Sequence, residues 1–185
     1  MERVERKGNE GIRKLFRGVI IVAVILAVWY GCSRIPYFVV KRNLSLQYGF
    51  TYENNEAVVE RRKKYVTREY YSGLQENEAV RTRQNIRNHK GRCELFYVEL
   101  GKRDAEGAIP YTILYELSYE DGVLPTERVH IEGKQEVERY LGIWWKVSED
   151  KVTHSCFFNG DVDSIIEQLR EEEEHHHDEH GHEHE

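Results

Sequence analysis

The last fifteen residues, EEEEHHHDEHGHEHE, hold the densest set of metal-ligating groups in the chain. His175, His176, His177, His180, His182 and His184 are six of its nine histidines. Neutral imidazole binds zinc, nickel or copper, and the interleaved carboxylates add oxygen ligands and draw cations in. A stretch this rich in donors can wrap a metal in several ways. It suits capture or buffering of Zn, Ni or Cu rather than one fixed centre. The same composition fits a disordered, solubilising acidic tail. Eight carboxylates with no Lys or Arg give residues 171–185 a charge of -8, which six protonated histidines would bring to -2. That change centres near a pH of about 6.5.

A second ligand pair is His154 and Cys156, two apart on a predicted strand and so on one face. With His89 or Cys93 they would make a zinc set, although no paired ligand motif completes it. Cys93 and Cys156 would form a disulfide only in an oxidising compartment; two reduced thiols are the plainer reading. Asn43-Leu44-Ser45 spells a glycosylation sequon. Glu94, Glu99 and Glu116 are acids without a spacing that pairs them for general acid–base work. Nucleophile elbow, P-loop, dinucleotide fingerprint and HExxH are all lacking, so no enzyme class is indicated.

The elements that must position these residues follow from periodicity. Residues 54–71 predict an amphipathic helix with Val58, Val59, Tyr65, Val66 and Tyr70 on one face and Asn54 or Asn55 as cap. A second helix to about Asn88 is opened by Ser72-x-x-Gln75 in capping-box spacing. Together they carry Arg61, Arg62, Lys63, Lys64, Arg68, Arg81, Arg83 and Arg87. These fit solvated helix faces, or contact with anionic lipid headgroups. Nucleic acid is not expected, since no recognition motif accompanies the charge.

Strands follow. CELFYVEL (93–100) is one, and in IPYTILYELSY (109–119) Ile109, Tyr111, Ile113, Tyr115, Leu117 and Tyr119 share a face. Glu120-Asp121-Gly122 is a turn signal, and a returning strand runs through Val129 and Ile131. GIWWKV (142–147) and VTHSCFF (152–158) flank Ser148–Lys151, which predicts a four-residue hairpin loop. Asp161 then caps a last helix whose inner face holds Val162, Ile165, Ile166 and Leu169.

Near the start, GVIIVAVILAVWYGCSR (18–34) holds sixteen uncharged residues between Arg17 and Arg34. With Leu15, Phe16 and Ile35–Phe38 the stretch reaches the roughly 20 residues a spanning helix needs. Trp29, Tyr30 and Tyr37 suit the interface, and Pro36 suits a helix exit. A cleaved signal peptide is the alternative, but no small-x-small site closes the run. Gly31-Cys32-Ser33 resembles the end of a lipobox, from which Trp29 and Tyr30 depart. Six Lys/Arg precede the run, against Arg34, Lys41 and Arg42 after it. This bias places the amino terminus on the cytoplasmic (or matrix) side and exports the main domain.

The net charge of -6 is unevenly spread: residues 1–17 carry +3, 54–92 carry +5, and 93–170 carry -8. Such asymmetry favours electrostatic partners or attraction between halves of the chain.

The expected architecture is α+β. It comprises a basic segment 1–14, a transmembrane helix 15–38, a linker 39–53, a domain 54–170 and the tail 171–185. Within the domain, 54–90 is helical (two helices), 93–158 is an antiparallel meander of about five strands, and 161–170 is a helix. The expected role is a single-pass accessory, assembly or scaffold subunit, with membrane lipid and other membrane subunits as partners. The alternative is an anchored metal-handling protein using its histidine tail, and a membrane-tethered enzyme ranks third.

Overall fold

The computed structural model describes residues 19–24, 34–75, 78–142 and 144–169. The chain divides into two compact units, Met1–Phe38 and Val39–Glu185. In the first unit residues 19–24 and 34–38 are helical. Among the described residues no helix is long and apolar enough to cross a membrane. The segment 1–14, much of 15–38 and the tail 171–185 lie outside the described residues.

The second unit is a mixed α+β fold around a five-stranded antiparallel sheet. Helix α1 (39–48) is the part of the helical run 34–48 that falls in this unit. Then come β1 (Phe50–Thr51), α2 (Asn55–Arg62), α3 (Arg68–Gln75) and α4 (Glu78–Asn88). The long strands follow: β2 (Gly91–Leu100), β3 (Ala108–Tyr119), β4 (Glu127–Tyr140) and β5 (Trp144–Phe157). Helix α5 (162–169) closes the unit. Spatial order equals chain order, β1-β2-β3-β4-β5.

The meander and the terminal helix agree with the sequence reading, but its parts differ in three places. The expected linker 39–53 is instead α1 and β1, with Val39, Val40, Leu44, Leu46 and Phe50 buried. Pro36, read as a helix exit, sits among helical residues.

The single helix expected over 54–71 is two. Between them Val66 forms a parallel bridge to Val147, with Thr67 N–H donating to Val147 O at 2.9 Å and Val147 N–H to Tyr65 O at 2.8 Å. The bridge satisfies strand-edge groups that a continuous helix would leave open. Asn54 stands at the N-cap of α2, yet its Oδ1 accepts from Thr51 N–H. Ser72 lies inside α3 and donates to Arg68 O, so it opens no capping box.

The hairpin expected at Ser148–Lys151 is absent, because 144–157 is one strand. The turn falls earlier, at Leu141 and Gly142, with φ of 53° and 72°. Two bulges hide this continuity, one between Glu132/Gly133 and one between Glu136/Val137. Each adds a residue to β5, so Val147, Asp150, Val152, Ser155 and Phe157 share a face although their spacing is not two. The strand count stays at five because β1 replaces the strand that β5 absorbs.

The core gathers Leu46, Phe50, Val58, Ile86, Cys93 and Leu117, with Tyr48, Tyr52, Tyr65, Tyr115 and Tyr119 packed against it. Helices α1, α2 and α4 therefore cover the face of the sheet that holds Cys93 and Leu117.

Candidate functional site

Among the described residues the buried polar side chains are those of Asn43, Arg62, Thr67 and Gln135. Three of them join one network. Arg62 is 1% exposed. It donates from Nε to Asn43 Oδ1 (2.9 Å) and from Nη2 to Gln47 Oε1 (2.6 Å) and Tyr70 Oη (3.5 Å). Asn43 Nδ2 donates to Gln135 Oε1 at 3.1 Å, and Gln135 Nε2 donates to Asp150 Oδ2 at 3.0 Å. Gln47 Nε2 and the Tyr70 hydroxyl also reach Asp150, at 3.5 and 3.4 Å.

A cation and an anion are thus connected by three neutral bridges: Asn43–Gln135, Gln47 and Tyr70. Each bridge accepts from Arg62 and donates toward Asp150, which fixes the orientation of every amide. A buried charge without such partners would cost several kcal/mol or neutralise itself. The network ties α1, α2 and α3 to β4 and β5.

Tyr111 of β3 adds the shortest contact to the carboxylate, its hydroxyl donating to Asp150 Oδ1 at 2.7 Å. Burial, and then the Asp150 charge, push the Tyr111 and Tyr70 phenols up, so both remain donors at any working pH. Burial also pushes Asp150 above the usual aspartate range, against the pull of its hydrogen bonds from Tyr111, Gln135 and Gln47 and of the Arg62 charge.

The sign of the resulting pH effect follows. Just above about pH 3.9 the unfolded chain has released this proton while the folded one keeps it, so Asp150 makes stability fall as pH rises toward its folded pKa. Asp150→Asn removes that slope. Its stability deficit relative to the parent should be largest near about pH 4 and shrink toward about pH 7. Urea midpoints across that range measure it, and a deficit growing with pH would contradict the burial argument.

Two cavities flank Gln47. The smaller, about 340 Å³, is bordered by Asp150, Tyr70, Glu69, Leu74 and Val152. The larger, about 500 Å³, has Arg62 in its wall. One end of the network therefore offers a guanidinium and the other the Asp150 carboxylate.

The residues singled out from sequence fall elsewhere. His175, His176, His177, His180, His182 and His184 lie outside the described residues. His154 and Cys156 approach neither His89 nor Cys93. Instead Cys156 Sγ lies 3.9 Å from His130 Nδ1, and the His130 and His154 rings stand edge to face at 6.2 Å. His89 holds Asp121 at 2.8 Å. Cys93 is buried on the opposite face, its thiol pushed up to about 12 by burial, which leaves it unreactive. Both cysteines are free thiols. Among the described residues no three His, Cys, Asp or Glu side chains gather to hold a metal.

Glu94, Glu99 and Glu116 have separate partners in Arg92, Tyr97 and Arg128. Asn43 of the sequon is fully buried, which this fold cannot reconcile with a glycan. Arg62, counted with the solvated basic face, is the most enclosed charge described, and Asp150, expected in a loop, is its counterpart. The one sequence signal that could have separated Arg62 is its place four residues after Val58, on the inner face of α2. Comparison with protein-family models, with curated proteins and with solved structures returns no match.

Proposed function

We propose that the chain is a single-pass, membrane-anchored accessory or assembly subunit that works through protein–protein contacts of its α+β domain. Its amino terminus lies on the cytoplasmic or matrix side and the domain is exported. The observation that carries this reading is the tip of the β4–β5 hairpin, where Tyr140, Leu141 and Trp144 are 45%, 77% and 66% exposed. Leu141 also occupies the left-handed region, which costs a leucine of order 1 kcal/mol. Neither feature stabilises the domain by itself, and a partner covering the tip recovers both. The neighbouring Trp145 is engaged internally, between the guanidiniums of Arg103 and Arg139 at 5.0 and 5.1 Å. β5 is an outer strand of the sheet and exposes Val152 and Phe157 as well.

Full-length protein carrying a photo-cross-linker at 141 or 144, activated in its native membrane, should give discrete adducts that co-purify in mild detergent. Leu141→Gly and Trp144→Asp should abolish the complex without loss of thermal stability, since glycine accepts the left-handed backbone freely. A solitary monomer without adducts would defeat the reading. The histidine tail supports the alternative, capture of Zn, Ni or Cu. Deleting 171–185 separates the two: an intact complex favours assembly, and a lost complex restored by added zinc favours metal handling.

A further inference from the structure

The larger cavity holds an arrangement the assembly role does not use. Its deep wall is apolar: Phe50, Leu117 and Val129 are buried there, with Tyr115 beside them. Its polar wall brings Arg62 of α2 together with Arg83 of α4. The hydrogen bonds of Arg62 go to neutral groups and leave from Nε and Nη2. Arg83 forms no ion pair among the described residues; its guanidinium lies over the Phe50 ring at 5.6 Å. One carboxylate, Glu127, also lines the space. The Arg62 charge is already set against Asp150 through its bridges, so Arg83 is the cation of this cavity that no carboxylate among the described residues pairs with. Phe157 stands at the same cavity, 73% exposed.

We infer that this cavity binds an amphipathic monocarboxylate, with its head on Arg83 and Arg62 and its aryl or medium-length alkyl body against Phe50, Leu117, Val129 and Phe157. The volume of about 500 Å³ falls inside the range of small-molecule sites, about 300–1,000 Å³. A carboxylate matches the Arg83 guanidinium fork with two oxygens and supplies the ion pair that Arg83 lacks among the described residues. Burial and the neighbouring Arg62 charge both work against the cationic form of Arg83, pressing its pKa down. A bound anion relieves both. Phe157 gains cover that the domain does not provide.

The probe is 4-(4-fluorophenyl)butyrate, followed by fluorine NMR on the full chain in lipid nanodiscs, with empty nanodiscs correcting for partition. Binding should be saturable, and about tenfold tighter than that of the neutral butanamide. Arg83→Gln should weaken the acid by about tenfold and leave the amide unchanged, with Arg83→Lys in between. Ser155→Trp, at an exposed position on the cavity wall, should exclude both ligands while the thermal midpoint holds. Equal affinity for acid and amide, an unaffected Arg83→Gln protein, or no saturable binding would overturn the inference. Tighter binding of 4-(4-fluorophenyl)butyl phosphate would overturn the carboxylate assignment.

Discussion

Arg62→Met is expected to be the most damaging single substitution in the domain, lowering its stability by about 3–5 kcal/mol. Methionine keeps an apolar stem but lacks the planar head, so a cavity adds to the cost. The larger loss is the donor set. Asn43 Oδ1 and Gln47 Oε1 lose their only described donor, and each buried acceptor left open costs about 1–3 kcal/mol. Asp150 keeps Tyr111 and Gln135 but loses the positive charge at the far end of its bridges. Replacing both charges is a different experiment. Arg62→Met with Asp150→Leu should cost less than the sum of the two, with a coupling of about 1–3 kcal/mol. Urea unfolding of the four proteins closes the cycle, and additivity would mean the bridges carry no coupling between the charges.

Gly133→Val should follow closely, at about 2–4 kcal/mol. A Cβ at this position lies 2.6 Å from Tyr111 Oη, 2.7 Å from Tyr111 Cζ and 2.8 Å from the backbone oxygen of Lys151. Neither neighbour can yield cheaply. The tyrosine hydroxyl is held by Asp150, and the Lys151 carbonyl belongs to β5 beside the bulge. Even Gly133→Ala should destabilise measurably, which a thermal melt detects. An alanine variant as stable as the parent would show that β3, β4 and β5 have slack where they come closest.

The strand 109–119 was legible because its alternation runs unbroken for eleven residues. β5 was not, because its two bulges shift the set of residues that shares one face from Val147 to Asp150 and from Val152 to Ser155. A polar run interrupted by shifts of this kind imitates a turn. Helix α1 was concealed by following an apolar stretch directly, so that 39–53 read as a linker. The network was least visible of all. Arg62 sits in the run Arg61-Arg62-Lys63-Lys64, where composition points outward for all four. The hydrogen-bonded pairs of the network lie up to 103 positions apart along the chain, and nothing local distinguishes Asn43, Gln135 or Asp150 from surface residues. Only tertiary contact reveals which polar residues are inside.

The helix formed by 39–48 sets where the domain can be cut. Two of the three bridges between Arg62 and Asp150 depend on it, through Asn43 and Gln47. A soluble fragment begun at residue 54, the natural choice if 39–53 were a tether, would retain both charges and discard most of what reconciles them. Recombinant boundaries, fusion junctions and protease sites intended to free an intact domain belong before Val39.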